Sequence, residues 1–410
     1  MPARRLVLDK CKAIDPRSIE TYVDRGGFRA LKKALGEMSP DQVIAEIKAS
    51  KLKGRGGAGF PCGLKWELAR SAQGDEKFLI CNADEGEMGT FKDRFILESD
   101  PFTLLEALAI AGYAIGAGKA YIYLRGEYRY LLGQAKEAID QTKKGGFLDH
   151  LEIEVSMGAG AYVCGEETAL MNSIEGGRGD ARYKPPFPPQ KGLWARPTII
   201  NNVETLMNIP LIVEKGADWF CQIGTAESKG TKVFAVSGDV ARPGVYELEL
   251  GSLLSELVMD MAGASNARMV QVGGAAGRII PARAMDVPLA FETVLGSGAV
   301  TVYDESRDVI DVVRRTCEFF ADESCGKCTP CREGTEMMVE ILDRLAKGEG
   351  GQDDIEILED LSNAMALSSL CGLGQAAPLA VLDTLEHFRG EYEIRVEQSL
   401  LAKSLGGIRG

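Results

Sequence analysis

The sequence predicts an α/β domain, then a smaller α+β unit, then a helical C-terminal region. Helical and strand-like segments alternate in the first half of the chain, which is typical of an α/β domain. The segment "TKVFAVSGDVARPGVYELELGSLLSELVMDMAG" follows a strand, turn, strand, helix pattern. The last hundred residues or so contain four segments with apolar residues three and four positions apart, as a helical bundle requires.

The elements of the first part follow from local patterns. Ser39 and Pro40 supply a cap and a first turn for the helix "SPDQVIAEIKASKLK". Strands are predicted at "KFLICNA", "KAYIYLRGEY" and "LEIEVSMGAG". The apolar stretch 102–118, "FTLLEALAIAGYAIGAG", includes Glu106 and three glycines, so a buried helix is predicted there and not a membrane span.

Composition excludes several classes of protein. The 410 residues are 45% hydrophobic and 26% charged, with a net charge of −13 and a pI of about 5.0. That length predicts two or three domains, and an acidic chain repels phosphate backbones, so no nucleic-acid partner is expected. With only His150 and His387, a Ser-His-Asp triad or a multi-histidine zinc site is disfavoured, and a cofactor is expected to do the chemistry.

The start of the chain, "MPARRLVLDKCKAID", lacks the apolar region of a signal peptide. We therefore expect a cytoplasmic location without direct membrane insertion. Thiols stay reduced there, so the ten cysteines are expected to be ligands or core residues.

The segment "ESCGKCTPCREGT" places Cys325, Cys328 and Cys331 at successive two-residue gaps. Three thiolates in so short a loop are typical of an iron–sulfur site, here of a four-iron cluster. Cys371, in "SSLCGLGQAAP" and forty positions after Cys331, is the natural fourth ligand. Cys317 lies within an apolar helix and is expected to be a core residue. Structural zinc sites usually take their ligands from two separated pairs, and zinc or accidental thiols remain the alternatives.

The segment "GRGGAGFP" contains Gly54, Gly56 and Gly59 in the spacing of a dinucleotide fingerprint. The fingerprint should follow a strand, but a helical segment precedes this one, so the classical Rossmann interpretation fails in context. The density of glycines still indicates a backbone open to close approach. Lys65 follows as a possible phosphate or flavin partner.

Two acidic segments are further candidates for a ligand site. The stretch "CNADEGE" leaves a predicted strand at the end where ligands of α/β proteins usually bind, and its polar residues are Asn82, Asp84, Glu85 and Glu87. The second, "GAGAYVCGEETALMNSIEGG", begins a helix with Glu166 and Glu167 near its N-terminus, where the helix dipole favours their charge. Capping of the helix and a solvated turn are the bland alternatives. Three polar, glycine-rich segments in one domain are difficult to explain by packing alone.

On these motifs the sequence closely resembles the NADH-binding flavoprotein subunit of respiratory complex I and its soluble relatives. Those relatives are the diaphorase subunits of NAD-linked hydrogenases, NAD-dependent formate dehydrogenases and electron-bifurcating complexes. The resemblance covers about residues 20 to 390 and rests on "GRGGAGFPCGLKW", "CNADEGEMGTFKDR", "GAGAYVCGEETAL", "KPPFPPQKGLW", "PTIINNVETL", "ESCGKCTPCREGT" and "SLCGLGQAAP". The motif "CGLGQAAP" and the opening segment are more similar to the soluble members.

The resemblance implies three domains: a Rossmann-like FMN- and NADH-binding domain over 1–222, a β-grasp (SLBB-like) domain over 223–305 and a helical bundle with a [4Fe-4S] cluster over 306–410. It implies the cluster ligands Cys325, Cys328, Cys331 and Cys371. It implies FMN contacts at Gly54, Arg55, Gly57, Lys65, Asn82, Asp84, Tyr162, Gly165, Glu166, Asn201, Asn202 and Thr205. It implies that NADH lies near Gly56, Phe60, Glu87, Glu167, Lys184 and Phe187.

The implied activity is that of an NADH dehydrogenase (diaphorase) subunit. Hydride would pass between NAD(H) and FMN, and single electrons would pass through the [4Fe-4S] cluster to partner iron–sulfur subunits. The implied catalytic residues are Glu87 and Glu167, which orient the nicotinamide and whose charge favours NAD over NADP. The proline-rich stretch 182–197, by itself a rigid connector, would hold Lys184 and Phe187 in place.

The resemblance also implies partners. They are a thioredoxin-like [2Fe-2S] subunit and a catalytic hydrogenase, formate dehydrogenase or other reductase subunit. The alternatives are the flavoprotein subunit of respiratory complex I, an electron-relay subunit without NADH activity, and a zinc-stapled binding protein. Two positions depart from the family pattern: Leu68 replaces an aromatic residue that helps to hold adenine, and Met88 replaces a proline.

Overall fold

The computed structural model describes residues 5–406. The chain forms two compact units. The first runs to Val236 and adds Gly244–Leu254 and Val287–Ala299; the second comprises Ser237–Pro243, Ser255–Asp286 and the residues from Val300 on.

The first unit is an α/β structure built from alternating helices and strands. Its helices are α1 (Ile19–Asp24), α2 (Arg29–Glu37), α3 (Pro40–Ala49), α4 (Cys62–Ser71), α5 (Lys92–Ser99), α6 (Pro101–Ile115), α7 (Leu132–Lys144), α8 (Glu167–Ile174), α9 (Val203–Met207), α10 (Ile209–Lys215) and α11 (Ala217–Cys221). Its strands are β1 (Phe78–Ala83), β2 (Lys119–Leu124), β3 (Glu152–Met157), β4 (Thr198–Asn202), β5 (Thr231–Gly238, whose last two residues belong to the second unit) and β6 (Gly244–Glu249). Short 3₁₀ segments occupy Gly126–Leu131, Tyr162–Gly165 and Leu193–Ala195.

Four of these strands form a parallel sheet in the order β3-β2-β1-β4. The side chains of β1, β2 and β4 are mostly buried on both faces because the helical crossovers of a parallel sheet cover both sides, whereas those of the edge strand β3 are mostly half-buried or exposed. Strands β5 and β6 pair separately as an antiparallel ladder.

Helix α6 is the predicted buried helix, and all but one of its residues are buried. The side chain of Asp100 caps its start by accepting a hydrogen bond from the amide of Thr103, and Gly116 ends it in a left-handed conformation. Its buried carboxylate, Glu106, accepts hydrogen bonds from the backbone amides of Phe28 and Leu31. A carboxylate is tolerated at this buried position because its oxygens accept these hydrogen bonds.

The second unit combines antiparallel strands with helices. Its elements are β7 (Ala267–Val272), β8 (Arg278–Pro281), β9 (Ala299–Asp304, whose first residue belongs to the first unit), α12 (Val309–Glu323), α13 (Thr329–Ala346), α14 (Asp354–Ser368), α15 (Gly372–Ala376) and α16 (Leu379–Gly406), with a π-helical segment at Glu256–Met261 and a 3₁₀ turn at Ala282–Ala284. Strand β7 pairs antiparallel with both β8 and β9. Arg278 on β8 joins α16 through an ion pair to the buried carboxylate of Asp383, at 2.6 Å.

The predicted fold class is confirmed: a Rossmann-like parallel sheet precedes further β strands, and helices make up the C-terminal part. Helix α16 is kinked at Phe388, where the backbone leaves the helical conformation. In residues 5–406 no helix has both the length and the apolar character needed to cross a bilayer.

Candidate functional site

The parallel sheet has a topological switch point between β1 and β4. From β1 the chain winds outward to β2 and β3, and then returns to place β4 on the other side of β1. Connections leave β1 and β4 in opposite directions there, and the crevice at their carboxyl ends is where α/β proteins bind ligands. Asn82 and Asn202 face each other in register at that edge.

The glycine-rich loop lies between α3 and α4, so a helix and not a strand precedes it, as the sequence predicted. The amide of Gly54 donates to the carbonyl of Phe60 at 2.9 Å and closes the loop. Gly57 has a φ of 127°, which side chains rarely allow, and a Cβ there would meet no other atom nearer than 4.0 Å. A Cβ on Gly56 would lie 3.1 Å from Cβ of Asn202. The loop therefore packs on Asn202 at one position and presents bare backbone to open space at the next.

Arg55, in the same loop, turns its side chain inward and is fully buried. Its guanidinium donates to three backbone carbonyls, those of Lys53, Lys229 and Thr231. Burial lowers its pKa to about 10, so it stays protonated at neutral pH. Its amide donates to the hydroxyl of Thr205 at 2.8 Å. The side chain of Arg55 thus anchors the loop, and the side chain of Thr205 holds the loop backbone.

A chain of ion pairs links α4, α8 and the proline-rich segment. Lys65 Nζ lies 3.1 Å from one carboxylate oxygen of Glu167, and Lys184 Nζ lies 2.9 Å from the other. Lys184 also reaches Glu166 at 2.8 Å. Burial raises the pKa of Glu167, but Lys65 and then Lys184 outweigh that effect and hold the pKa below its usual range. The charges of the two lysines and two glutamates balance. A charged ligand that breaks one of these ion pairs can therefore pair with the residue of opposite charge that it releases.

Glu166 has a second function as the N-cap of α8. One of its oxygens accepts from the amides of Thr168 and Ala169 at 2.8 and 3.0 Å. The capping expected from the sequence is therefore present. The same carboxylate also receives Lys184, so capping and the ion-pair chain share one residue.

The segment after β1 lies against the turn before α8. The Asn82 side chain donates to the carbonyl of Gly165 at 2.9 Å, and the Tyr162 hydroxyl donates to the Glu87 carboxylate at 2.8 Å. A Cβ on Gly165 would lie 3.6 Å from the carbonyl oxygen of Asp84. The structure therefore brings together two segments that are about 80 residues apart in sequence, as the predicted crevice requires.

Two of the predicted residues turn away from the crevice. Glu85 is buried and accepts from the amides of Asp93 and Arg94 at 2.8 and 2.9 Å, and also from Tyr128. Burial, followed by the charge of Asp93, raises its pKa. The structure places Glu85 as a cap for the start of α5.

Asn201 is the second residue that turns away, and its side chain is buried beneath α4. It accepts a hydrogen bond from the indole of Trp66 at 2.9 Å and approaches the thiol of Cys62 at 3.8 Å. Its neighbour Asn202 points to the other side of β4, toward the loop. The alternation of a strand separates these two asparagines by face.

Two aromatic residues border this region and are half-exposed. Phe60 is 46% exposed at the end of the glycine-rich loop, and Phe187 is 51% exposed in the proline-rich segment. Leu68 on α4, where the family pattern has an aromatic residue, is 45% exposed. Aromatic rings can stack on a planar ligand, and these two are accessible enough to do so.

The four predicted cluster cysteines come together in the second unit. Cys325 follows α12, Cys328 is the N-cap of α13, Cys331 lies in its first turn and Cys371 is the N-cap of α15. Burial raises the pKa of the Cys331 thiol to about 11; the Ser324 hydroxyl lowers it, and Cys328, Cys371 and Cys325 raise it further. Four thiols in electrostatic contact match in number the thiolate ligands that a [4Fe-4S] cluster requires.

Close packing brings the turn at Cys371 to Cys331. A Cβ on Gly374 would come within 2.9 Å of the Cys331 Cβ, so only glycine allows this approach. In the part of the chain that the structure describes, no three His, Cys, Asp or Glu side chains form a group that could hold a metal ion. A four-iron cluster takes one thiolate for each iron, so its ligands stand further apart than those of a single zinc.

Sequence reasoning missed a group of charged residues below the glycine-rich loop: Lys92, Asp93, Glu204 and Lys232. All four side chains are nearly or completely buried, and they contact one another. Glu204 and Lys92 lie within two motifs that carried the resemblance, but nothing in their spacing indicates that they meet. Their position inside the first unit could be found only from the fold.

Three family models match the chain. The Nuo51 FMN-binding domain matches residues 47–211, the SLBB domain matches 233–275, and the iron–sulfur binding region of NADH-ubiquinone oxidoreductase F matches 311–395. These matches cover the parallel sheet with its glycine-rich loop and all four cluster cysteines.

Several curated proteins are similar over nearly the whole chain. An NADH-quinone oxidoreductase subunit of Rhizobium meliloti is 45% identical over 94% of this chain and 96% of its own length. The NADP-reducing hydrogenase subunit HndC of Solidesulfovibrio fructosivorans is 44% identical over 96% of this chain and 84% of its own. The HoxS subunit alpha of the NAD-reducing hydrogenase of Cupriavidus necator is 43% identical over 92% of this chain and 65% of its own.

Solved structures agree with these relatives. A chain of an NAD⁺-reducing [NiFe]-hydrogenase in the H₂-reduced state superposes with a TM-score of 0.88 at 40% identity, covering 96% of this chain and 67% of that chain. The cofactors of the matched domains are FMN, a [4Fe-4S] cluster and NAD(H). The chain therefore belongs to the family of NADH-linked FMN and [4Fe-4S] flavoprotein subunits shared by NADH-quinone oxidoreductases and NAD-reducing hydrogenases, and it is an NAD(H)-dependent flavin oxidoreductase subunit.

Proposed function

We propose that this chain is the electron-entry subunit of a multisubunit oxidoreductase, and that its nucleotide and flavin sites share the crevice at the carboxyl ends of β1 and β4. The observation that carries this proposal is the convergence of the glycine-rich loop and the ion pairs between Lys65, Glu167 and Lys184 at one switch point. Bound FMN would supply the hydride-accepting ring, and the [4Fe-4S] cluster would supply one-electron steps.

The residues of the crevice have distinct proposed roles. The bare backbone at Gly57 gives a planar ring close approach, while Asn202 and Thr205 fix the loop from below. The nicotinamide half of the nucleotide is oriented by Glu87 and Glu167. The remaining proposed FMN contacts are Gly54, the backbone of Arg55, Lys65, Asn82, Asp84, Tyr162, Gly165 and Glu166, whereas the side chains of Glu85 and Asn201 turn away from the crevice.

Nucleotide binding draws on the ion-pair chain and the two exposed rings. Lys184 forms ion pairs with Glu166 and Glu167. When these ion pairs open, its positive charge can bind the nucleotide. The rings of Phe60 and Phe187 offer apolar surface to the bases, and Gly56 is a further proposed contact of the nucleotide. Because position 68 is leucine, its contact with adenine has no aromatic stacking component.

We also propose the division into 1–222, 223–305 and 306–410, with Cys325, Cys328, Cys331 and Cys371 as the cluster ligands. Partners of the proposed assembly are a thioredoxin-like [2Fe-2S] subunit and a hydrogenase, formate dehydrogenase or other reductase subunit. The relatives support this, since their names include hydrogenase and quinone-oxidoreductase subunits. A cytoplasmic location is supported by the ten cysteines, all of which lie in the described residues and none of which forms a disulfide.

The direct test is an anaerobic titration of the FMN-containing protein, first with NADH and then with NADPH, while the flavin absorbance is followed. We expect NADH to bleach the flavin in the absence of any partner subunit. Retention of the flavin absorbance with both nucleotides would instead favour the electron-relay subunit without NADH activity.

Replacement of Gly57 by alanine tests the open backbone of the loop. Its φ of 127° is strained for alanine by about 1–3 kcal/mol, and the new methyl group would point into the space reserved for the flavin. We expect FMN affinity to fall by about tenfold or more, since 1.4 kcal/mol is a factor of ten. The measurement is a fluorescence titration of the apoprotein with FMN.

The matched control is Gly133→Ala, because nothing lies within 4 Å of a Cβ at that position in α7. Alanine also favours a helix by up to about 1 kcal/mol. FMN affinity in this control is expected to equal that of the wild type. Unchanged affinity in Gly57→Ala would contradict the placement of the flavin on the loop.

A further inference from the structure

The four charged residues beneath the glycine-rich loop form a closed set, here called the buried charge network: Lys92, Asp93, Glu204 and Lys232. Their side chains are 2%, 4%, 0% and 0% exposed. Lys232 Nζ lies 2.6 Å and Lys92 Nζ lies 3.0 Å from Oε2 of Glu204, while Lys92 also pairs with Asp93 at 2.7 Å. The network contains two lysines and two carboxylic acid residues.

Stability alone is a poor explanation for such a network. Removing charges from water costs energy that their mutual attraction often fails to recover, and well-packed apolar residues usually serve stability equally well. Hydrogen-bonded charges differ from apolar residues in being directional. Their value is the fixed orientation they impose on the groups that they bind.

The network holds Asn202, the residue on which the loop rests. The Asn202 amide nitrogen donates to Asp93 at 2.6 Å, and its carbonyl oxygen accepts from the amide of Glu204 at 3.0 Å and from Lys92 at 3.4 Å. Because donors and acceptors surround it in fixed positions, the amide has one orientation. A Cβ on Gly56 would lie 3.1 Å from Cβ of Asn202, so the loop backbone follows the position of this side chain.

Glu204 is also fixed by contacts outside the loop, and its neighbour Thr205 contacts the loop directly. Its other oxygen accepts from the amide of Val233 at 2.8 Å, and Lys232 donates to the carbonyl of Ser297 at 2.9 Å. The next residue of α9, Thr205, accepts from the amide of Arg55 in the loop. A change in Glu204 therefore reaches the loop through both Asn202 and Thr205.

The pKa of Glu204 supports a negative charge at the centre of the network. Burial raises the pKa of Glu204, but Lys232 and then Lys92 outweigh it, so the pKa lies below its usual range. Burial lowers the pKa of Lys232 to about 7, against the attraction of Glu204. Glutamine in place of Glu204 would therefore remove a negative charge.

We propose that Asp93 and Glu204 are positioning residues for the flavin, acting through Asn202 and the glycine-rich loop. This inference rests on the proposed placement of FMN in the crevice. It predicts that loss of either carboxylate alters the flavin that remains bound, and not only the amount of flavin bound.

The test uses Glu204→Gln and Asp93→Asn, each nearly isosteric with the residue it replaces. The control is Glu106→Gln. Glu106 is another buried carboxylate of the first unit, and it accepts hydrogen bonds from the backbone amides of Phe28, just before α2, and Leu31, within α2. For each protein we would measure FMN affinity of the apoprotein, the absorbance spectrum and midpoint potential of bound flavin, and the thermal midpoint of the apoprotein.

We expect FMN affinity to fall about tenfold or more in both test variants, as loss of a charge-assisted hydrogen bond would produce. We also expect the spectrum and potential of the bound flavin to shift, with both unchanged in Glu106→Gln. The inference is overturned if the folded test variants keep the affinity, spectrum and potential of the wild type, or if Glu106→Gln changes them equally. If Glu204→Gln does not fold, Asp93→Asn decides by the same measurements.

The wild-type protein separates this inference from the proposed function. Wild-type protein that binds no FMN would refute the proposed function itself. Wild-type protein that binds FMN and is bleached by NADH, together with unaffected test variants, would refute only the positioning role.

Discussion

Replacement of Cys371 by alanine is expected to abolish the iron–sulfur cluster and to leave FMN bound. Cys371 contributes one of the four proposed thiolates, so its removal leaves one iron of the cluster without a protein ligand. The glycine-rich loop belongs to the other compact unit, so its flavin should not depend on the cluster. We expect iron to fall from about four atoms per chain to nearly none, with FMN unchanged at one per chain.

The sharpest control is Cys317→Ala. Cys317 is closer than Cys371 to the other three cysteines in sequence, but it is fully buried within α12 and its thiol pKa is raised to about 12, mainly by burial. Its loss should cost some stability and no iron. Four irons per chain in Cys371→Ala, or loss of iron in Cys317→Ala, would overturn the assignment of the fourth ligand.

Much of the fold could be predicted because local patterns and packing agree. The apolar strand at β1 and the capped helix at α3 both lie where the sequence placed them. The strand order of the sheet was not predicted, because parallel pairing joins segments through long crossovers and no local signal records which strands become neighbours. The switch point between β1 and β4, which defines the crevice, depends entirely on that order.

The candidate site could be predicted as a set of segments more readily than as a set of side chains. Arg55, Glu85 and Asn201 lie in the correct motifs, but the structure directs their side chains to backbone carbonyls, to the start of α5 and to Trp66. Motif membership does not record on which face of a strand or loop a residue points. That information requires the neighbouring elements.

The buried charge network could not be predicted from the sequence either. Lys92 follows a phenylalanine in a motif rich in charged residues, and such residues usually lie on the surface. Its burial results from the packing of α9 against α5, with Asp93 and Glu204 supplying counter-charges. Sequence spacing of more than one hundred residues between Lys92 and Glu204 carries no sign of this contact.

Nucleotide choice is the remaining question with a large expected effect. One relative that is 44% identical carries NADP in its name, so family membership does not determine the choice. We expect NADH to be preferred, with a kcat/KM at least about tenfold above that of NADPH. The carboxylate of Glu87 would repel a phosphate on the ribose, and one unit charge at about 8 Å contributes about 2 kcal/mol at an effective dielectric constant of about 20.

Glu87→Gln should therefore reduce the preference for NADH by about tenfold, mainly by improving NADPH, because it removes this charge and keeps the size of the side chain. Glu167 is a poorer choice for this test, since Lys65 and Lys184 already neutralise it. The control is Tyr162→Phe, which removes the hydrogen bond to Glu87 but keeps the negative charge. That variant should raise KM for both nucleotides and leave their ratio within about twofold of the wild type, as expected of a neutral hydrogen bond that contributes about 1 kcal/mol. Steady-state kinetics that show NADPH preferred by the wild type, or an unchanged ratio in Glu87→Gln, would mean that Glu87 does not face the ribose, because a charge that close must act on a phosphate.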